Sequence, residues 1–265
     1  TSNLINVGIG NDTFDVSIDT SQLPAGWDAD LLYDGGQTYG FTVNLDPYGS
    51  AEFNVVMTTG GIGSGRVTVE VASQGSGETV ASLDFVALAP GTDILVVADD
   101  GGAGTGVSAY GPAIDAAGKT YAIWDRSLAP ISGPDLLDYE AVVWSTGSKP
   151  DALQSDDRSA IGDYLDVGGN LILAGEDILQ TLYEQGGGAR LWYQFNLRLN
   201  YGGGDSGDLN VTGEPGDPVG DGLSFTLAGG DPDVITLFAG EPVETSFPYG
   251  DGDVAGARTT YDGYQ

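Results

Sequence analysis

Asp99, Asp100, Asp125, Ser145, Thr146, Glu176 and Asp177 each fall at the end of a short apolar run, where a strand would hand over to a turn. Side chains at such ends line the edge where open α/β sheets bind ligands. Five of the seven are acids, and acids gathered on one edge must be protonated, kept apart or neutralised by a cation. Asp99, Asp100, Asp125, Glu176 and Asp177 are therefore candidate ligands for Ca²⁺ or Mg²⁺. The competing reading is that Asp99 and Asp100 cap the Gly-rich turn after them and the others face water. Glu176 and Asp177 also sit on a strand-to-helix turn, a position from which a carboxylate can serve as nucleophile or acid–base group.

The residues that are missing exclude more. The chain has no Cys and no His, which removes disulfides, thiolate nucleophiles, Zn or Cu sites built on imidazole or thiolate, and any Ser-His or Cys-His pair. The run Asp99–Gly106 is Gly-rich, but two acids precede its glycines and it carries no Lys, so it reads as a βα loop and no nucleotide is expected. Later acids (Asp205 and Asp208, Asp217 to Asp221, Asp231 and Asp233, Asp251 and Asp253) lie beside glycine turns without EF-hand spacing, and read as calcium ligands or as solvated turns. Trp192, Tyr193, Phe195 and Tyr201 read as a sugar platform or as helix core. Asn11-Asp12-Thr13 and Asn210-Val211-Thr212 fit the N-glycosylation sequon. With 39 acidic against 8 basic residues the formal net charge is -31, which repels nucleic acid and anionic membrane surfaces alike.

The 265 residues suffice for two domains. Residues 1–89 show short alternating runs at Thr13–Ile18, Tyr39–Val43, Ala51–Met57, Gly65–Val71 and Thr79–Phe85, separated by turn signals, which predicts an all-β sandwich with Trp27 in its core. Ala89-Pro90-Gly91 marks the junction. Residues 90–265 switch to continuous apolar strands at 93–100, 121–125, 141–147 and 170–177. Helices are expected over 108–117, over 156–167 with Ser155 as N-cap, and from Ile178 to Glu184, giving a doubly wound sheet. A Gly/Asp-rich insertion, about 201–258, holds strands near 208–212, 223–227 and 234–238. The start at Thr1 without Met or leader suggests a processed product or an excised piece.

Two resemblances sit on these segments. Asn11-Asp12-Thr13-Phe14, Leu23-Pro24-Ala25-Gly26-Trp27 and Leu45-Asp46-Pro47-Tyr48-Gly49-Ser50 resemble the Ig-like modules of secreted hydrolases and cell-surface proteins. Ile94–Gly102, Tyr121–Asp125, Ala141–Gly147 and Tyr164–Leu171 resemble the class I glutamine amidotransferase-like, flavodoxin-like domain. The resemblance implies a Cys on the turn Ala174-Gly175-Glu176-Asp177 and a His further on, and this chain has neither. It also implies a strand before Asn11, for which only ten residues are present, and a final sheet strand beginning at Tyr261–Gln265. The expectation is a non-catalytic extracellular structural or adhesive protein, self-associating as a surface or filament subunit through strand exchange. The alternative is an accessory fragment of a larger secreted hydrolase. No membrane insertion is expected.

Overall fold

In Asp12–Asp19, Phe14 and Val16 are buried while Ser17 is exposed, the period of two expected of a strand covered on one face. A computed structural model describes residues 1–101, 105–151, 153–228, 230 and 232–260. Repeating that period gives eight strands: β1 (Ser2–Ile5), β2 (Asp12–Asp19), β3 (Asp28–Tyr33), β4 (Gly36–Thr38), β5 (Gly40–Leu45), β6 (Ser50–Thr58), β7 (Gly63–Ser73) and β8 (Thr79–Ala89). They form two four-stranded antiparallel sheets, ordered β1-β6-β3-β4 and β5-β2-β7-β8. Leu31, Ala51 and Phe53 from the first sheet share one core cluster with Phe14, Val16, Leu45, Val69 and Val71 from the second. Side chains from two inner faces thus shield each other from water.

Three details differ from expectation. The ten leading residues do contain a strand, since Ser2–Ile5 pairs with Ser50–Phe53. Strands β3 and β4 were not expected. Asp28 and Asp30 are poor strand formers, yet Ala29 and Leu31 alternate with them and are fully buried. Trp27 is buried as expected, but outside the main cluster, where a Cβ on Gly65 would come within 2.7 Å of its ring.

In Ile94–Ala98 the alternation disappears. Leu95, Val96 and Val97 are all fully buried, as in a strand covered on both faces. The elements are β9 (Ile94–Ala98), α1 (Thr105–Ala116), β10 (Tyr121–Asp125), α2 (Gly133–Leu136), β11 (Ala141–Gly147), α3 (Ser155–Asp166), β12 (Leu171–Gly175), α4 (Ile178–Gln185) and α5 (Gly187–Asn196). The strands lie in the order β10-β9-β11-β12, with β11 parallel to both β9 and β12. Helix α3 starts at the expected cap residue, Ser155, one residue earlier than expected: Gln154 is the N-cap, and its amide donates to Asp157 Oδ2 at 2.9 Å.

The remainder is β: β13 (Leu199–Gly203), β14 (Asn210–Thr212), β15 (Ser224–Thr226), β16 (Val234–Leu237), β17 (Val243–Pro248) and β18 (Val254–Thr259). It forms an antiparallel sheet β13-β16-β18-β17 and a two-stranded β14-β15 ribbon. The expected final strand at Tyr261–Gln265 lies outside the described residues. The fold is therefore mixed, with several antiparallel sheets and one parallel sheet. It packs as two units, Thr1–Thr92 with Ala122–Trp124, and Asp93–Tyr121 with the residues from Asp125 on. Among the described residues no helix is long and apolar enough to cross a membrane.

Candidate functional site

Strand β9 ends by delivering Asp99 to the edge of the parallel sheet, beside the end of β11. The register pairs Ala98 with Ser145, and Asp99 N donates to Ser145 O at 2.8 Å. Asp99 is 1% exposed, so its charge must be met from within the protein. Lys149, on the turn after β11, brings its ammonium against Asp99 Oδ1. Trp144 Nε1 and the Leu153 amide donate to Oδ2 at 3.3 and 3.2 Å. Leu153 adopts φ +56, and its amide closes this cage.

A second ion pair lies nearby in sequence. Arg126, directly after β10, donates to the buried Asp157 and, at 3.0 Å, to Asp156. Burial pushes the Asp157 carboxyl above its ordinary value, against the pull of Arg126. Burial likewise disfavours the Arg126 cation, yet Asp157, Asp156 and Asp99 leave its pKa raised. Asp99 and Asp157 are thus each met by a cation of the same chain.

The five candidate ligands are not brought together as one group. Asp99 is caged as described, and Asp100 follows it, 9% exposed. Asp125 turns back on its own loop, accepting from the Ser127 amide at 2.9 Å and from the Ser127 hydroxyl. Glu176 anchors the start of the elbow, its amide donating to Gly147 O at 2.7 Å, and its carboxylate lies where a Cβ on Gly230 would stand, 2.3 Å from Oε1. Asp177 is the N-cap residue of α4 at φ +57, without a side-chain cap bond. Among the described residues no group of three or more acids could hold a metal ion. The loop from Gly102 to Gly104 lies outside them.

The elbow Gly175-Glu176-Asp177 has the left-handed residue that a tight strand-to-helix turn needs. A helix start presents unpaired amides and a positive dipole end, which makes it a ready anion site. Here that site is filled: Asp233 Oδ2 accepts from the amides of Leu179 and Gln180 at 3.1 and 3.2 Å. Nothing in the sequence pointed to Asp233 as the cap of a helix that starts 55 residues earlier. Its position after β15 gave no local signal.

The late acids have a common geometry. Asp205 accepts from Gly207 N, Asp208 from Asn210 N, Asp217 from Val219 N and Asp251 from Asp253 N, each two residues on. These are Asx-turns, in which a carboxylate replaces a backbone carbonyl. Asp231 lies outside the described residues. Burial would raise the Asp217 carboxyl, but the Arg258 guanidinium at 2.6 Å and the amides of Gly220 and Val219 hold it down at about 2.

The aromatics do not form one platform. Tyr193 is fully buried, Trp192 Nε1 donates to Arg158 O at 2.7 Å, and Tyr201 tilts against Tyr183 at 5.2 Å; Phe195 is exposed. Both sequon asparagines, Asn11 and Asn210, are exposed.

All eight basic residues have a partner within the chain. Arg66, Lys119, Arg126, Lys149, Arg198 and Arg258 pair with carboxylates. Arg158 donates to Leu153 O, and Arg190 lies 4.8 Å over the Tyr183 ring. The surface field is left to the acids. No protein-family model, no curated protein and no solved structure matches this chain.

Proposed function

We propose that this is a non-catalytic, extracellular structural protein that associates with itself. In this reading an Ig-like sandwich is followed by a flavodoxin-like domain of the glutamine amidotransferase type that has no catalytic chemistry. The observation that carries it is Asp233 on the opening amides of α4. In an enzyme of that type the elbow must be open to receive an anion or a developing oxyanion. Here a carboxylate of the same chain takes the amides, and Lys149 answers Asp99 on the neighbouring strand end.

Two further features support the reading. The order β10-β9-β11-β12 is that of the first four strands of a flavodoxin-like sheet. The strongly acidic composition and the commitment of every cation leave no basic surface for nucleic acid. The export assignment rests on the resemblance of the first unit.

The test joins electron microscopy and sedimentation of the intact protein, with calcium and with chelator, to a peptidase and glycosidase screen. Ordered assemblies and no turnover are expected, and loss of assemblies with chelator would assign cations a part in them. A protein that stays monomeric at high concentration with calcium present overturns the structural reading. A hydrolytic activity abolished by Glu176→Ala or Asp177→Ala overturns the non-catalytic one.

A further inference from the structure

In the first unit, β1 and β8 are the edge strands of the two facing sheets, and β1 is four residues long where β8 is eleven. A slot of about 250 Å³ is lined by Leu4, Phe53, Val69, Val71, Ala81 and Leu83, with Ser and Asn completing it and no charged side chain among the lining residues. That volume is below the ~300–1,000 Å³ of small-molecule sites. It exceeds the ~150 Å³ apolar cavity that holds a benzene-sized group, so it suits one or two aliphatic side chains. Leu83 stays 53% exposed at its mouth.

The same unit displays side chains of that kind. Directly after β1, Val7 and Ile9 are 80% and 95% exposed, contributing almost nothing to their own core. They are not on a slack loop. Asn6 is buried and ties the loop down: Nδ2 donates to Gly10 O and Leu45 O at 2.9 and 3.0 Å, and Oδ1 accepts from Gly8 N at 2.9 Å. Its backbone pairs with Gly49 O and Tyr48 N. Tyr48, 74% exposed at φ +62, and Ile5, half exposed, extend the apolar surface. With an aromatic ring worth roughly 150–250 Å² when buried, the four residues offer a few hundred Å², the size at which exposed apolar surface marks an association site.

Charge selects the occupant. In a chain of net charge -31 most surfaces repel a second copy. The slot lining and the stretch Leu4–Gly10 carry no charged side chain, and Asp84, on β8, is neutralised by Arg66 at 2.6 Å. We propose that the Val7–Ile9 knob of one copy seats in the β1/β8 slot of the next. Knob and slot are different surfaces, so the contact is head-to-tail and propagates into open chains of subunits unless the rotation closes it. A pinned loop loses little entropy on docking. The contact is smaller than the ~800 Å² per partner of a standard stable complex. Association is therefore weak and concentration-dependent, and added salt strengthens it by screening the acids.

This inference deepens the self-association reading and rests on it. Sedimentation of the intact protein up to about 1 mM, a range set by the small contact, is compared for wild type, the knob variant Val7→Asp/Ile9→Asp and two slot variants, Leu83→Asp and Ala81→Glu. The knob positions are exposed, so those variants keep the fold, and circular dichroism checks the slot variants. Wild type is expected to form species beyond the dimer, and each variant alone to lose at least about tenfold in association, as for an anchor removed from a desolvated pocket. Mixing knob and slot variants restores a complex that stops at two chains. If wild type and variants assemble alike, the knob-and-slot contact is wrong while self-association stands. A wild type that stays monomeric throughout overturns both.

Discussion

Replacing Lys149 by Met removes the ammonium that answers Asp99 and leaves the rest of the cage in place. The Asp99 side chain is wholly buried, whereas that of Lys149 is 28% exposed. After the change the carboxylate keeps only Trp144 Nε1 and the Leu153 amide, at 3.3 and 3.2 Å. Breaking a buried pair by removing one partner costs about 3–5 kcal/mol. Because water already reaches the lysine end, the lower figure of about 3 kcal/mol applies here. At about 2–4 °C per kcal/mol for a unit of this size, the melting temperature of the second unit should fall by roughly 6–12 °C. Asp99→Asn is the informative control. It keeps an acceptor for Trp144 and Leu153 and frees an ammonium that can turn to water, so it should cost only about 1–2 kcal/mol. Calorimetry of the intact protein reads both. Equal losses, or a Lys149→Met protein melting within a degree of wild type, would refute the view that Asp99 is a buried charge held by one cation.

Asp233→Ala should uncap α4 and lower stability by about 1 kcal/mol, in the range of lost N-caps, and should not create hydrolytic activity at the opened elbow; thermal melts and the same hydrolase screen check the two halves. Asp217 provides a pH signature. Its folded pKa of about 2 lies below the ordinary carboxylate value of 3.8, so its contribution is fully present above about pH 4 and is lost as pH falls through 2. Near-ultraviolet circular dichroism should therefore show an acid limb between pH 4 and 2 that Asp217→Asn flattens. Identical limbs in the two proteins would remove Asp217 from the account.

What the sequence made legible follows from which signals are local. The boundaries of β10 and β11 coincide with the runs read from the sequence: β11 has Val142, Val143 and Trp144 all buried, as in a strand covered on both faces, while β10 alternates buried Ala122 and Trp124 with half-buried neighbours. Strands β17 and β18 left no such trace: Gly256 faces the Phe247 ring, 3.1 Å from where its Cβ would stand, so one strand supplies the bulk and the other supplies none. The acids were equally visible, but their roles were not. Asp125, Asp205, Asp208, Asp217 and Asp251 each bind a backbone amide two residues on, a pattern that a search for cation ligands misreads, since both need an oxygen beside a turn. Asp99 and Asp233 depend instead on partners about fifty residues away in the chain, Lys149 and the start of α4. Only the fold selects those partners. The numbers have a consequence for the whole surface: eight cations against 39 acids leave most carboxylates without a cation to pair with. The charge-free slot and knob of the first unit then stand out against an acidic field, and an apolar contact is the kind such a surface leaves open to a second copy.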